Sequence, residues 1–401
     1  SERARRRLSS GRTVEVIMSK RIFIAGSGGI GRAVGLLLRE LGDLDVDLIL
    51  GDATAEQAST AAEFITTGSS ISGAVETVTM PFTGTTPELD KALASSDLVL
   101  DCLPGSQAPR VARWALANGM HYANLTEYVA ETNEIMEIAK DAKTGFALQC
   151  GLAPGMVNVL GNSLFQQFCA RYDVKKADIV KMRVGALTRN AEAPHFYGFT
   201  WSPIGVATEY VKDAIVVRHG KEVKVPSLAE IQQLRIDGIA YEEATTSGGA
   251  ADMPDALNGR VEHLDYKTLR YPGHWGWVKR QLDAIGDVPD RIRQLEDRML
   301  SAIPQMRDDI VVVYAAVEGQ DRKNRRHRLD AAYKVYPATF GGQRLRAIQS
   351  TTAAGLAECS RVLLTGQVQG TLLQSELNCE AYLNGPYVSA VYKKPLSAQL
   401  G

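Results

Sequence analysis

The sequence has no excess of charge of either sign and no long hydrophobic run. Its 401 residues contain 45 Lys and Arg against 46 Asp and Glu, so it lacks the positive field that binds nucleic acid or an anionic membrane. No apolar stretch approaches the roughly 20 residues that cross a bilayer. We therefore expect neither a nucleic-acid partner nor a membrane association. A hydrophobic content of 45% with 23% charged residues is typical of a globular protein.

The sequence also has few cysteines and no pairing pattern among them. The five are widely spaced, and none forms a C-x-x-C pair: Cys102, Cys150, Cys169, Cys359 and Cys379. Most lie in apolar runs, which predicts reduced, buried thiols rather than disulfides or zinc ligands. We expect no metal site, and the reduced thiols favour a cytoplasmic location.

The first 17 residues are rich in Arg and Ser and lack the apolar core of a secretory signal. Such a segment is either an organellar transit peptide or an extraneous extension upstream of a natural start at Met18. We favour the second interpretation and expect residues 1–17 to be a leader outside the fold.

From Arg21 onward, short apolar runs alternate with stretches of helical periodicity. Six strands are predicted, each followed by a helix: residues 21–25, 46–50, 75–80, 98–100, 121–125 and 146–149. Strands that alternate with helices of this length form a parallel, doubly wound sheet. The pattern predicts an α/β protein whose N-terminal part, residues 18–155, is a Rossmann domain.

In the middle of the chain, the pattern of predicted strands and helices changes. Residues 214–217 and 222–225 flank a turn at Gly220, and residues 309–317 and 329–335 flank a polar, arginine-rich tip. Hairpins imply antiparallel sheet, which predicts a second, mixed α+β domain. The basic tip is either a nucleic-acid contact or a solvated hairpin end. Because the chain as a whole has almost no net charge, we favour the solvated hairpin end.

A glycine-rich loop follows the first strand and opens the first helix. It carries G-x-G-x-x-G and consists of Gly26, Ser27, Gly28, Gly29, Ile30 and Gly31. In this context the glycines allow a tight turn and let the helix N-terminus approach a pyrophosphate. The pattern predicts a dinucleotide site.

Asp52 ends the second strand, 21 residues after the last of these glycines. A carboxylate there accepts hydrogen bonds from the adenosine ribose and repels a 2′-phosphate, and no Arg stands beside it. NAD is therefore predicted, with NADP as the alternative. FAD shares the glycine pattern, so the glycines alone do not exclude it.

Ligands of such sheets lie beyond the carboxyl ends of the strands. The segments there that we expect to contact the cofactor contain Cys102, Leu103 and Pro104 after the fourth strand, and Gly151, Ala153 and Pro154 after the sixth. The segment after the sixth strand could equally be an ordinary strand-to-helix turn.

Residues 151–158 carry a motif, Gly-Leu-Ala-Pro-Gly-Met-Val-Asn. It resembles the G-x-x-P-G-x-x-N signature of the saccharopine dehydrogenase-like family, which includes L-lysine 6-dehydrogenases and carboxynorspermidine dehydrogenases. Residues 201–210 and 266–274 are similar to the middle domain of the same family. Members often carry Asp where this chain has Asn124, so a role assigned to that Asp cannot be carried over.

The resemblance implies a domain arrangement and a reaction. The Rossmann domain would be completed by residues from about 345 to 401, and residues 156–344 would bind substrate and form a homodimer. The reaction would be NAD(P)-linked oxidation at a carbon that bears nitrogen.

That chemistry requires a base for the amine proton and a cation for an amino-acid carboxylate. Arg270 fits the cation, the alternative being a salt bridge at a domain interface. His274 is a candidate proton carrier or else a helix cap, and Glu127 and Tyr122 are rival acid–base candidates. The other predicted substrate contacts are Asn158 and Trp201.

The sequence thus predicts an NAD(P)-dependent dehydrogenase that acts on the C–N bond of an amino acid such as lysine or saccharopine. Two alternatives stay open. One is a reductive condensation of the carboxynorspermidine type, and the other is a regulator that binds NAD(H) without turnover.

Overall fold

The computed structural model describes residues 19–396 and, upstream of them, only the backbones of two paired strands, β1 (Arg5–Arg7) and β2 (Thr13–Glu15). Except for the backbone of these six residues, the prediction that residues 1–17 are a leader concerns residues outside the described part of the chain. Within residues 19–396, no helix combines the length and the apolar character needed to cross a bilayer.

The first sheet is built by the alternation that the sequence predicts. Its strands in chain order are β3 (Lys20–Ala25), β4 (Val46–Asp52), β5 (Val75–Thr79), β6 (Leu98–Asp101), β7 (His121–Asn124) and β8 (Gly145–Ala147). The helices between and after them are α1 (Gly29–Glu40), α2 (Ala55–Gly68), α3 (Pro87–Ala94), α4 (Ala108–Asn118), α5 (Val129–Ala139) and α6 (Met156–Tyr172). A seventh strand, Gly370–Leu372, joins from near the end of the chain and pairs with β8.

All seven strands are parallel, in the order Gly370–Leu372, β8, β7, β6, β3, β4, β5. The order reverses at β3 and β6, which is where a doubly wound sheet binds its ligand. Along β3, Ile22 and Ile24 face one buried layer and Phe23 and Ala25 face the other. The predicted Rossmann domain is confirmed.

One strand ends earlier than predicted. The sequence predicts a strand over residues 146–149, whereas β8 stops at Ala147. Gln149 has a φ of 62°, in the left-handed region, and its backbone N–H donates to Asn124 Oδ1 at 2.9 Å. Asn124 therefore turns the chain out of the sheet just before the cavity described below.

The second sheet has eight strands and is mixed. They are β9 (Ala177–Thr188), β10 (Ala214–Arg218), β11 (Lys221–Val225), β12 (Gln232–Ile236), β13 (Ile239–Thr245), β14 (Val261–Arg270), β15 (Asp309–Gln320) and β16 (Arg326–Val335). The main order is β11, β10, β14, β9, β15, β16, with β13 on β14 and β12 on β13. Only β9 and β14 pair in parallel. Both predicted hairpins are confirmed, and the hairpin β12–β13 was not predicted.

Four helices belong to this domain: α7 (Pro203–Val211), α8 (Met253–Ala256), α9 (His274–Ile285) and α10 (Arg291–Ala302). Residues of α7, α9 and α10 share one apolar core. The basic tip between β15 and β16 folds around Asp321, whose carboxylate accepts from the backbone N–H groups of Lys323 and Arg325. Because these hydrogen bonds lie within the tip, they favour the interpretation of the tip as a solvated hairpin end.

The end of the chain returns to the first domain through β17 (Ala338–Phe340), β18 (Gln343–Leu345), α11 (Ala347–Thr365), β19 (Gly370–Leu372), α12 (Cys379–Leu383) and α13 (Pro386–Tyr392). Asp309, at the start of β15, accepts from the backbone N–H groups of Ala347 and Ile348, both at 2.8 Å, and so fixes the start of α11. Because Gln349 of α11 also donates to Gly29 O at 3.2 Å, α11 connects the second sheet to the glycine-rich loop. All five cysteines are free, as expected.

Candidate active site

The glycine-rich loop has the shape that a pyrophosphate requires. Gly26 has a φ of +91°, and a Cβ added there would lie 3.0 Å from the Cys102 carbonyl. A Cβ on Gly31 would lie 1.9 Å from Gly26 O. Gly28 caps α1 without any side-chain partner, and the space above it is open. The first N–H groups of α1 therefore face an open cradle in which an anion fits.

Asp52 lies beside this loop, as the sequence predicts. Its Oδ2 accepts from Ser27 N at 2.7 Å and from Ser27 Oγ at 2.6 Å, and its Oδ1 accepts from Ala53 N at 2.7 Å. A carboxylate has about four acceptor positions, so at least one is left for a ribose hydroxyl. The residues present fit a dinucleotide.

A separate cavity of about 450 Å³ lies beyond Asp52, between Ala53 and the loop after β5. Phe82 lines it and is 84% exposed. Arg110 holds this loop, because its guanidinium donates to the carbonyls of Pro81, Phe82 and Gly84 at 2.7–2.8 Å. Sequence reasoning missed Phe82, although a lone aromatic residue after the third strand was a visible signal.

The predicted segments after β6 and β8 do lie at the carboxyl edge of the sheet. Cys102 N donates to Ala25 O at 2.8 Å, and Cys102 and Leu103 lie against Gly26, with Pro104 next along the chain. Gly151, Leu152, Ala153 and Pro154 form a tight turn that lines the cavity between the domains. The predicted cofactor contacts are thus brought together along one edge.

Asn158 holds that turn from behind. It is completely buried, its Oδ1 accepts from Gly155 N at 2.7 Å, and its Nδ2 donates to Gly249 O at 3.0 Å. Asn158 therefore links the turn to the second domain and does not line the cavity. Contact between Asn158 and the substrate stays a prediction, and the position of Asn158 behind the turn does not favour it.

The cavity between the two domains has a volume of about 210 Å³, and we call it the inner chamber. The first domain contributes Ile30 and Pro154, α11 contributes Ile348, and the second domain contributes Trp201, Glu209 and Arg270. Trp201 is held by the start of α7, where a Cβ on Gly205 would lie 2.5 Å from its ring. The predicted substrate residues Trp201 and Arg270 thus meet the predicted cofactor turn.

Arg270 is a buried cation with no described carboxylate within ion-pair distance, and Glu209 acts on it only electrostatically across the cavity. Arg270 is 1% exposed and makes no ion pair with any residue from 19 to 396. Its Nε donates to Tyr210 Oη at 2.7 Å, its Nη1 donates to Leu269 O at 2.9 Å, and the Tyr197 ring lies 4.6 Å away.

Arg183, in the same sheet, shows how the charge of a buried arginine is usually neutralised. It is equally buried but forms ion pairs with Glu243 at 2.7 Å and Asp265 at 2.6 Å. Burying an unpaired charge is costly, so the open side of Arg270 is suited to an anion that arrives with a ligand.

Glu209 faces the same chamber and is also unpartnered. It is 9% exposed, and within residues 19–396 its carboxyl group has no hydrogen bond and no ion pair. Burial, reinforced by the charge of Glu127 and opposed by Arg270, raises the pKa of Glu209 to about 8. Burial also raises the pKa of Glu127, against the effect of Lys212. Carboxyl groups whose pKa is raised by burial inside a cavity are typical of functional sites.

A second cavity of about 490 Å³, the outer chamber, lies on the other side of Glu127 and Glu209, and both residues line both chambers. Sequence reasoning selected Glu127 but missed Glu209 as a site residue. The available signal was that Glu209 is the one charged residue of helix α7.

His274 lies behind Arg270 and lines neither chamber. Its Nδ1 donates to His195 O at 2.6 Å, so its Nε2 accepts from Tyr210 Oη at 3.1 Å. Burial and the Arg270 charge lower the pKa of His274 to about 3, which keeps the ring neutral. It is also the first residue of α9.

Tyr122 is likewise outside both chambers. It is buried beside Phe146, with ring centroids 5.4 Å apart, and donates to Asp101 Oδ2 at 2.9 Å. Burial raises its pKa far above the ordinary value. The structure therefore brings Glu127 to the chambers but neither Tyr122 nor His274.

Comparisons with known proteins agree with this architecture. The family model of the saccharopine dehydrogenase NADP binding domain matches residues 22–148, and that of the saccharopine dehydrogenase C-terminal domain matches residues 151–382. Apo saccharopine dehydrogenase (L-Glu forming) from Saccharomyces cerevisiae superimposes with a TM-score of 0.72 at 16% identity, over 94% of this chain and 98% of that one. Homospermidine synthase from Legionella pneumophila, solved with NAD, gives 0.62 at 12% identity, over 94% and 91%. At these identities the likeness to the solved structures is one of fold.

Proposed function

The chain belongs to the saccharopine dehydrogenase family and carries its nicotinamide-dinucleotide-binding domain, and from this premise we propose that it oxidises the carbon–nitrogen bond of an amino acid. The observation that supports this most directly is the inner chamber. It combines an unpaired Arg270 and an unpaired Glu209 with the cofactor turn at Pro154.

The cofactor of the proposal is NAD. When bound, it accepts a hydride. The N-terminus of α1 would hold its pyrophosphate, and Asp52 its adenosine ribose. Although the matching family model is named for NADP, the Asp52 carboxylate would repel a 2′-phosphate. Arg110, on the adjacent loop, has its guanidinium committed to three backbone carbonyls.

Arg270 would bind the substrate carboxylate and so orient the reacting carbon. Two of its five N–H groups are used by Tyr210 and Leu269, which leaves three for a bidentate contact. Ionised Glu209 would accept the N–H proton of the amine. The hydride leaves the adjacent carbon as the nitrogen electron pair forms the C=N bond, so charge and protons balance.

His274 is assigned a positioning role in this scheme. A neutral ring with Nε2 as acceptor orients the Tyr210 hydroxyl, which in turn accepts from Arg270 Nε. The acid–base role falls to Glu209, with Glu127 as its neighbour. This replaces His274 and Tyr122 as the preferred candidates, since neither lines a chamber.

The reductive condensation stays as the second candidate, because the outer chamber gives room for a second reactant. A regulator without turnover is less favoured, since it would have no use for a buried, unpartnered base. The homodimer implied by the resemblance and the cytoplasmic location inferred from the cysteines stay predictions.

The test is formation of reduced nicotinamide with a panel of amino acids, comparing Glu209→Gln with a control, Glu262→Gln, at an exposed position of β14. Loss of a general base should lower kcat by about 10²–10⁴-fold, and the control should be unchanged. Full turnover by Glu209→Gln would remove Glu209 from the mechanism. NADH binding without turnover on any amine or imine would instead support the regulator.

A further inference from the structure

A buried carboxyl group that the proposed reaction does not use lies at the carboxyl edge of the first sheet. Asp101 is the last residue of β6, and it pairs in register with Ala25 of β3 on one side and with Asn124 of β7 on the other. It is 2% exposed and forms no ion pair within the described part of the chain. Its two hydrogen-bond donors are uncharged, Leu103 N at 3.1 Å and Tyr122 Oη at 2.9 Å. Because a buried carboxylate without a cation is costly, this position is suited to a positive charge that a ligand brings.

The strand order shows which part of a bound dinucleotide lies nearest to Asp101. Asp52, at the end of β4, would hold the adenosine ribose, and the glycine-rich loop after β3 would hold the pyrophosphate. β6 and β7 are the next strands beyond β3, at intervals of about 4.8 Å, so the nicotinamide half would extend over them. Cys102, which follows Asp101, lies against Gly26. Asp101 is therefore on the nicotinamide side of the loop and Asp52 on the adenosine side.

The nicotinamide ring carries a positive charge in NAD⁺ and becomes neutral when a hydride is added to it. A fixed negative charge nearby therefore stabilises the oxidised form relative to the reduced form. We propose that the Asp101 carboxylate makes the site prefer NAD⁺ over NADH, and that protonation of Asp101 removes this preference. The preference suits an oxidation, because it favours loading of NAD⁺ and release of NADH. The inference rests on the nicotinamide-dinucleotide site and not on the identity of the substrate.

Asp101 changes its charge close to neutral pH. Burial raises the pKa of Asp101 to about 7, although the hydrogen bonds from Leu103 and Tyr122 oppose the shift. The titratable groups that face it are the Tyr122 phenol on β7 and the Cys102 thiol, and burial and the Asp101 charge raise the pKa of both far above neutrality. The start of α4 contributes the Ala108 carbonyl, 3.4 Å from Tyr122 Oη. Since Asp101 is ionised above its pKa, the preference for NAD⁺ should be full above about pH 8 and lost below about pH 6.

The carboxyl groups of the inner chamber act on the same ring and must be distinguished from Asp101. Glu127 and Glu209 line this chamber together with the cofactor turn at Pro154. Burial raises the pKa of Glu209 to about 8, so its ionisation would also favour NAD⁺, at a higher pH than that of Asp101. Groups at the pyrophosphate and the adenosine contact NAD⁺ and NADH alike, so their effects cancel in the ratio of the two affinities.

The test measures the dissociation constants of NAD⁺, NADH and ADP-ribose by calorimetry across the pH range at constant ionic strength. Two unit charges roughly 8–12 Å apart change an affinity ratio by roughly 10- to 30-fold at an effective dielectric constant of about 20. We expect the affinity for NAD⁺ to rise relative to that for NADH by about this factor as the pH passes through about 7. ADP-ribose, which has no nicotinamide, should show no such gain.

Asp101→Asn removes the charge and preserves the hydrogen bonds. The introduced amide oxygen can accept from Leu103 N, and the amide nitrogen can donate to Tyr122 Oη, whose own proton can then turn to Ala108 O. We expect this variant to remove the rise near pH 7 and to lower the preference for NAD⁺ at high pH by roughly 10-fold or more. Asp97→Asn is the matched control at the other end of β6, where the side chain is exposed, and it should change neither.

Tyr122→Phe keeps the carboxyl group and removes a hydrogen bond that lowers the pKa of Asp101. The rise should therefore move to higher pH with its size unchanged, a shift that a residue with a merely structural role would not cause. The variant also provides a test if Asp101→Asn does not fold.

Three results would overturn the proposal. The rise could persist in folded Asp101→Asn, its midpoint could stay in place in folded Tyr122→Phe, or Glu209→Gln could abolish the rise near pH 7. Failure of NAD⁺ and NADH to bind would contradict the cofactor site itself. Absence of turnover with every amino acid, while the rise is observed, would contradict the proposed function without affecting this inference.

Discussion

Replacing Arg270 tests whether the buried cation serves the substrate or the fold. Arg270→Lys keeps the charge but removes the planar fork, so the ammonium group cannot satisfy Tyr210 Oη, Leu269 O and a bidentate carboxylate together. Losing one of the two charge-assisted hydrogen bonds of the bidentate pair should cost about 1.5–3 kcal/mol, since the ammonium group can still form the other. That predicts a fall of roughly 10- to 150-fold in kcat/KM.

The assay compares each amino acid with its decarboxylated amine, for example lysine with 1,5-diaminopentane. The penalty of Arg270→Lys should be large for the amino acid and nearly absent for the amine, which has no carboxylate to lose. NADH affinity should stay within about twofold, because the glycine-rich loop is in the other domain.

Arg218→Lys is the matched control. It changes another arginine of the same sheet, one that pairs with Glu230 and Asp265 and lines neither chamber. If Arg270→Lys folds and keeps near-normal kcat/KM on the amino acid, or penalises amine and amino acid equally, then Arg270 does not hold the carboxylate.

Three further predictions concern the base and the cofactor. Because Glu209 must be ionised to accept a proton, kcat/KM for oxidation should rise with pH and level off above about 8, the pKa that burial gives it, and Glu209→Gln should lose this limb while Glu262→Gln keeps it. Asp52→Ser should narrow the preference for NAD over NADP, measured as dissociation constants by calorimetry, and equal affinities in the unmodified protein would contradict the assignment. Phe82→Ala should weaken NADH binding by roughly 5- to 150-fold if its ring stacks on the adenine, since such stacking contributes about 1–3 kcal/mol, and should leave the binding of reduced nicotinamide mononucleotide unaffected. An equal loss for both ligands would show that Phe82 acts through the loop rather than through the base.

The local pattern of the sequence was enough to predict the dinucleotide-binding domain. The alternation of strands and helices, and the spacing from Gly26 to Asp52, depend on neighbours along the chain. They can therefore be recognised without any knowledge of the tertiary structure. The same holds for the two hairpins with a glycine or polar tip. The hairpin β12–β13 was missed because β12 is mostly polar and exposed, so no run of apolar residues marks its first strand.

The site depends on contacts that no local pattern shows. Arg270 and Trp201 were selected through the family resemblance, and the structure brings both to the inner chamber. Glu209 was missed because its effect arises from burial between two domains. His274 and Tyr122 carry suitable chemistry, but their side chains are committed to Tyr210 and Asp101 away from the cavities.

The most direct test of the account is to follow the hydride. Members of the amino-acid panel would carry deuterium at every carbon that bears nitrogen, and the reduced nicotinamide would be isolated and weighed by mass spectrometry. We predict that one deuterium appears on the nicotinamide, together with an imine or its hydrolysis product, and that Glu209→Gln suppresses both. Reduced nicotinamide without the label, or none at all with any member while NADH still binds, would contradict oxidation at a carbon–nitrogen bond.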